Sequence, residues 1–297
     1  MYHLVYDLHF RAADSAAKHQ LEILPISARY RGWQYESDEF RPPYPDPPLS
    51  MTDLLGHGTP PTPKHLERNR ISGDLVHSLY TKLASVPATA IKGVTKRSKL
   101  APVIAGLLVQ RDQVVDALIG KSDVVRDGLE ATTIDLAWVD ARKRELRVIW
   151  DHEMRLMAGL AQYELVSHPN QSIDIVQSKC IPFTAEMPVD GSRIGLSANL
   201  QIDARLIHRA SMVIDIKTGD PSGAHHTSIA GYAMALESEE ATPVDMGCVY
   251  YVSVPAGSET PLIKCDVFGI TDALRQQFLA RRNQALVGKN EGGTPIP

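Results

Sequence analysis

The sequence predicts an α/β protein built on a mixed β-sheet flanked by helices. Residues 66 to 170 are mostly helical in pattern, whereas after Ser178 the chain turns to short β-branched runs separated by Gly, Pro, Asp or Ser. A helical segment falls between the third and fourth of those runs, and helices around a strand-rich centre give an α/β or α+β domain with a mixed sheet. In the helical part, "LERNRISGDLVHSLYTKLA" sets Ile71, Leu75, Leu79 and Leu83 four apart with Val76 alongside, the stripe of an amphipathic helix, and His77 projects near that stripe. "KLAPVIAGLLVQRDQVVDALIGK" and "RVIWDHEMRLMAGLAQYEL" predict two more helices, the first interrupted around Pro102. The predicted strands are "CIPFTAEMPV", "IGLSANLQIDARLI", "ASMVIDIKTG", "DMGCVYYVSV" and "PLIKCDVFGI". "HHTSIAGYAMALESE" is the intervening helix and "TDALRQQFLARRNQALVG" the closing one. Residues 1–65 read as an N-terminal arm with a proline-rich loop and a short turn near Met51 to Leu55, since proline fixes φ and removes backbone donors. The expected organisation is that arm, a helical region over 66–178 and a core with its C-terminal helix over 179–297, forming one compact unit.

Composition narrows the function classes without choosing one. With 297 residues, 43% hydrophobic, the chain can bury a sizeable core. A formal charge of −4 rules out a global basic field, so any nucleic-acid surface must be local. The visible basic clusters are "IKGVTKRSK", Ile91 to Lys99, and the arginines Arg275, Arg281 and Arg282, although a lysine run is as often a plain solvated face. Cys180, Cys248 and Cys265 lack CxxC spacing, which argues against a disulfide framework or a cysteine-only metal site. No apolar run approaches the roughly 18 residues that span a bilayer, and the N-terminus lacks signal-peptide order, so a cytoplasmic protein without membrane contact is expected.

The chemistry-bearing stretch is "MVIDIKTG". Strand side chains alternate, so Asp215 and Lys217 share one side of the sheet. On a solvated edge strand such a pair carries no chemistry. Upstream, however, "GLSANLQIDARL" brings Asp203 within reach if the two strands pair. Adjacent carboxylates repel unless a cation lies between them, and oxygen ligands favour magnesium or manganese. Such an ion polarises a phosphodiester and lowers the pKa of bound water, while a lysine stabilises developing negative charge. His77, four residues after Gly73, is either a further ligand or a satisfied boundary histidine. Gly73 is expected to let the backbones approach closely, and Ala230, Gly231 and Ala233 to pack the following helix tightly on the sheet. Tyr232 on that helix either belongs to the core or contacts a phosphate or the lysine. His225 and His226 read as a solvated helix start.

The order Gly-x-x-x-His, an Asp after a strand, Asp-x-Lys, then a helix with a Tyr resembles the RecB-like branch of the PD-(D/E)xK nuclease superfamily. More closely it resembles the CRISPR-associated RecB-like exonuclease of spacer acquisition, in its archaeal type I-A form. The segments carrying the likeness are "RGWQY", "GDLVHSLY", "GLSANLQIDA", "VIDIKTG" and "AGYAMALESEEATPVDMGCVYYV". The resemblance implies a restriction-endonuclease-like core with His77, Asp203, Asp215 and the backbone carbonyl of Ile216 as metal ligands. It implies Lys217 as the catalytic lysine, joined by Tyr232, with Glu186 a weaker candidate for a water-mediated contact. Ser228 stands where the family has the glutamine of a Gln-x-x-x-Tyr element, which puts DNA positioning or rate in doubt. The family's iron–sulfur cysteines have no counterparts in "GHGTPPTPKHLER" or in "NEGGTPIP", where the chain stops, so no iron–sulfur cluster is expected.

The leading expectation is a Mn²⁺- or Mg²⁺-dependent DNA exonuclease or endonuclease that trims single-stranded or overhanging spacer-precursor ends before integration. Its implied partners are DNA and the CRISPR integrase complex; homo-oligomerisation is left open. The alternative is a catalytically weak or inactive subunit that binds DNA ends or docks on that complex. A small-molecule enzyme has no positive signal, since GxGxxG, GxxxxGK[ST] and GxSxG are all absent.

Overall fold

The computed structural model describes residues 30–34, 49–54, 64–181, 183–208 and 210–290. The rest of the predicted arm, including most of its proline-rich loop, and the segment "EGGTPIP" after Asn290 lie outside the described residues. Six helices come first: α1 (Lys64–Lys92), α2 (Arg97–Val109), α3 (Arg111–Gly120), α4 (Asp123–Glu130), α5 (Leu136–Ser167) and α6 (Ile173–Cys180). Strands β1 (Phe183–Val189), β2 (Leu200–His208) and β3 (Ala210–Lys217) come next, then α7 (Gly223–Glu240), β4 (Met246–Ser253), β5 (Leu262–Gly269) and α8 (Asp272–Asn290). The expected single turn is present at Met51–Leu54.

Local chemistry sets the helix ends. Asp135 accepts the Trp138 N–H at 2.7 Å to start α5, while Ser122, Ser172 and Ser222 cap α4, α6 and α7 in the same way. At the far end of α5, Arg97 donates to the carbonyls of Leu165 and His168, which the helix itself leaves unpaired. Arg97 is therefore a helix cap, although Lys92, Lys96 and Lys99 around it are exposed. The predicted interruption at Pro102 does not occur: Pro102 lies inside α2 and the chain breaks at Gln110 instead. One missing N–H near a helix start costs a single bond, and the surrounding Leu100, Ile104 and Leu107 are buried enough to hold the turn.

Among the described residues, the strands form one mixed sheet in the order β1-β2-β3-β4-β5, with β3 and β4 parallel and the other neighbours antiparallel. The parallel pair is joined by the α7 crossover. Helices α1 to α6 cover one face through a core that includes Leu79, Trp150, Ile214 and Tyr250. Helices α7 and α8 cover the other with Ile229, Met234 and Phe278. At Gly231 the close approach is to α8 and not to the sheet, since an added Cβ would sit 2.5 Å from Phe278. It is not needed at Gly73, whose added Cβ would meet Thr218 Oγ1 at an ordinary 3.7 Å. β3 is central, so the reading of Asp215 and Lys217 as a solvated edge falls away.

One departure from regular strand geometry aims Asp203. On β2, Ala204 and Leu206 enter the α1–α6 core, yet Leu200 and Ile202 enter the opposite one, which strict alternation forbids. The change of face falls at Asp203. Directly across on β1, between the pairs Ala185↔Ala204 and Met187↔Ile202, Glu186 adopts the left-handed conformation with φ 51. The predicted strand start also shifts: residues 192–194 form a 3-10 turn and the strand begins at Leu200, so Asp203 is internal to β2 and does not end it.

Candidate active site

The β2–β3 ladder stops at Ala204↔Ile214, while β2 stays paired to β1 as far as Leu200 and β3 stays paired to β4 as far as Lys217. The two strands therefore part, and side chains fill the gap. Asp203 Oδ2 accepts the Ile216 N–H at 2.7 Å, in place of the next ladder bond. Because a strand residue's N–H and C=O point to the same side, the Ile216 carbonyl faces this gap too. Asp203 Oδ1 lies 3.1 Å from His77 Nδ1 on α1, and Lys217 Nζ donates to Asp215 Oδ1 at 2.6 Å. Asp215 is opposite Asp203 one step past the last ladder pair, and its Oδ2 is buried with no hydrogen-bond partner.

The electrostatics come from that crowding. Burial pushes the Asp215 carboxyl up, Lys217 pulls it down, Asp203 adds to the rise, and the outcome is a pKa of about 7. Burial pushes the Asp203 carboxyl up as well, but the His77 hydrogen bond and the charges of His77 and Lys217 hold it below the ordinary carboxylate value. Burial lowers Lys217, yet Asp215 and Asp203 more than offset this and keep its pKa above the usual lysine value, so it is cationic at neutral pH. His77 behaves likewise: burial opposes its charge, and the bond to Asp203 raises it. Tyr232 reaches the cluster from α7, its hydroxyl raised first by burial and then by Asp215 and Asp203.

Of the remaining sequence candidates, Glu186 accepts from Thr81 Oγ1 at 3.2 Å, and its carboxyl is raised by burial and by nearby Asp203. Ser228 bonds back to the Ala224 carbonyl at 3.2 Å, one turn before Tyr232. His225 and His226 are not a solvated helix start. His225 Nδ1 lies 3.0 Å from the Tyr251 hydroxyl, while His226 bonds Asp266 at 2.9 Å and stacks on Phe268. Arg275 and Arg282 cannot form a DNA surface, because both are buried, Arg275 on Glu237 and Arg282 on the Ile194 carbonyl. Tyr251, which the sequence does not single out, is paired with Lys217 across β3–β4 and bears on the same cluster. Its place beside the lysine follows from the β3–β4 register, which the sequence alone does not set.

Among the described residues, no group of three or more His, Cys, Asp or Glu side chains is placed to hold a metal ion. His77 points at Asp203 in this arrangement. Two facing carboxylates, an unpartnered oxygen on Asp215 and the Ile216 carbonyl nevertheless suit a hard divalent cation, which needs only one or two carboxylates and completes its shell with water and phosphate.

The family model described as "CRISPR-associated exonuclease Csa1" matches residues 110–290, a span that includes Asp203, Asp215, Lys217 and Tyr232. The chain belongs to the CRISPR-associated exonuclease Csa1 family. Saccharolobus solfataricus CRISPR-associated exonuclease Csa1 is 34% identical over 159 residues, 52% of this chain and 53% of that protein. Its namesake from Thermoproteus tenax is 32% identical over 130 residues, 44% of each. The chain thus spans about half the length of the Csa1 proteins it matches. The Csa1 match begins after α1, so His77 lies outside it.

Proposed function

We propose that this protein is a divalent-metal-dependent deoxyribonuclease of CRISPR adaptation, with a PD-(D/E)xK active site, that trims DNA ends before integration. The reading is carried by one observation: Asp203, Asp215 and Lys217 meet where β2 and β3 part, with a buried Asp215 oxygen left unpartnered. Asp203, Asp215 and the Ile216 carbonyl would hold Mn²⁺ or Mg²⁺. When bound, the ion supplies Lewis-acid polarisation of the phosphodiester and a water of lowered pKa.

The chain's own groups then have separable tasks. Lys217 stays protonated beside Asp215, so it acts as a fixed positive charge for the phosphate and not as a base. His77 orients Asp203 through their hydrogen bond, and its further role as a ligand requires that bond to open. Tyr232 is held neutral by burial and donates its hydroxyl toward the acidic pair or a phosphate oxygen. Glu186 supports a water-mediated contact. The DNA partner and docking on the integrase complex rest on the family likeness.

The test is cleavage of 5′- and 3′-labelled single-stranded and overhanging DNA with Mn²⁺, Mg²⁺ or EDTA. Metal-dependent cleavage lost in Lys217→Ala is the expected result. Folded, metal-loaded protein that binds DNA and cuts nothing would overturn the enzyme reading in favour of a DNA-end-binding subunit.

A further inference from the structure

Tyr251 stands at the centre of a small basic cluster on the α7 side of the sheet. It pairs with Lys217 across β3–β4 and with Lys264 across β4–β5, and residues paired on neighbouring strands project from the same face. The Lys264 ammonium lies 5.9 Å from the centre of the Tyr251 ring. His225, in the first turn of α7, sets its imidazole 5.8 Å from that ring, centre to centre, with Nδ1 3.0 Å from the hydroxyl.

The bond to Tyr251 fixes what His225 offers to solvent. A phenol is the better acid and an imidazole nitrogen the better base, so Tyr251 donates to Nδ1 of the neutral ring and leaves the imidazole proton on Nε2. In the protonated ring both nitrogens carry protons, and Nε2 is again a donor. Burial and the charge of Lys217 favour the neutral form. The carboxylates that could absorb these donors are engaged elsewhere: Asp215 holds Lys217, and Asp266 holds His226 at 2.9 Å. Asp220, in the turn before α7, is exposed and bonds to none of them. Among the described residues, His225 Nε2 and Lys264 Nζ have no hydrogen-bond or ion-pair partner, although His225 is half-buried. An imidazole donor and an ammonium without counter-ions, beside the lysine assigned to the scissile phosphate, suit a second anion.

We propose that His225 and Lys264, arranged around Tyr251, bind the DNA phosphate next to the one being cleaved. The inference rests on the nuclease reading and deepens it, adding substrate-binding residues outside the acidic pair and its lysine. Lys217 and Lys264 stand two strand spacings apart, about 10 Å, and their flexible stems bring both within reach of consecutive phosphates. Tyr251 is a positioning residue that holds the imidazole and fixes which nitrogen donates. A flanking phosphate is held equally in the bound substrate and in the transition state, so the subsite raises affinity without speeding the chemical step.

The experiment uses end-labelled single-stranded DNA in which each phosphate around the cleaved bond is replaced in turn by a neutral methylphosphonate. Wild type, His225→Ala, His225→Gln, Lys264→Gln and Tyr251→Phe are compared, each checked for an unchanged Tm. At one flanking position the replacement should raise the wild-type KM about tenfold with kcat unchanged, the worth of a hydrogen bond to a charged group. His225→Ala should raise KM by a similar factor, and the flanking replacement should then add no more than about twofold, as expected when both changes remove one contact. His225→Gln, which keeps an N–H donor, should recover most of the loss, and Tyr251→Phe should raise KM less than His225→Ala. Lys264→Gln should lessen the slope of log affinity against log salt by about 0.7, one phosphate contact on a single strand. A flanking methylphosphonate that costs His225→Ala as much as the wild type overturns the subsite. So does a fall in kcat at constant KM, which marks His225 as a support for Lys217. If no folded protein cleaves with Mn²⁺ or Mg²⁺, the nuclease reading fails, and the subsite is decided by binding of the unmodified oligonucleotide in EDTA. Weakening by both His225→Ala and Lys264→Gln upholds it there, and indifference to either overturns it.

Discussion

Two buried charge clusters border α7 and behave differently. Near the C-terminal end of that helix, Glu237 is 0% exposed and saturated: Oε1 accepts from Arg31 at 2.7 Å, Arg275 at 2.9 Å and the Val244 N–H at 3.0 Å, while Oε2 accepts from Arg275 at 2.6 Å and the Gly32 N–H at 2.8 Å. At the candidate site, two carboxylates share one lysine and one histidine, and an Asp215 oxygen is left over. A structural ion cluster satisfies every lone pair, because an unmatched buried charge is costly. A cluster short of positive charge is tolerated where a ligand supplies the remainder. Saturation separates the roles better than burial does.

Removing the saturated cluster's centre tests that contrast most strongly. Glu237→Ala strands Arg275 in the interior and should cost about 3–5 kcal/mol, read as a lowered urea midpoint, with the specific activity of the folded fraction unchanged. Lys217→Ala should do the reverse, reducing cleavage about 10²–10³-fold in a labelled-DNA assay while far-UV circular dichroism stays native. For Asp215→Asn, relief of the carboxylate repulsion should raise metal-free stability by about 1 kcal/mol. The same variant should lose the upward shift in Tm that Mn²⁺ gives the wild type, as binding to the folded state alone requires. Stabilisation by Mn²⁺ that persists in this variant would place the ion elsewhere. The smallest effect belongs to Tyr232→Phe, where loss of one hydroxyl should slow cleavage by up to about tenfold, the worth of a single hydrogen bond.

The sequence made the strands readable because their β-branched runs are bounded by turn residues, and it made Asp215 and Lys217 readable because two-residue spacing fixes a shared face. What it hid is long-range or irregular. Arginine is rarely buried without a partner, and the partner of Arg275 lies 38 residues away in Glu237, so Arg275 reads as surface. The left-handed Glu186 has no local signature, because glycine is the usual occupant of such a φ. Yet that residue accompanies the change of face that aims Asp203 into the gap. His225 and His226 look solvated at a helix start, and only the sheet beneath them supplies Tyr251 and Asp266. The helices at 123–130 and 173–180 escape a periodicity reading, because eight residues make too few turns to display a stripe.

The order in which the sheet assembles gives the parting of β2 and β3 one more consequence. These strands are separated by a single residue, so their antiparallel pairing closes a short loop, whereas the parallel β3–β4 pairing must wait for the whole α7 crossover. The hairpin is thus the cheapest contact to make first, and it already carries Asp203, Asp215 and Lys217. The lysine travels with the repulsion it relieves, so the chain can pass through its early folding steps without waiting for an ion.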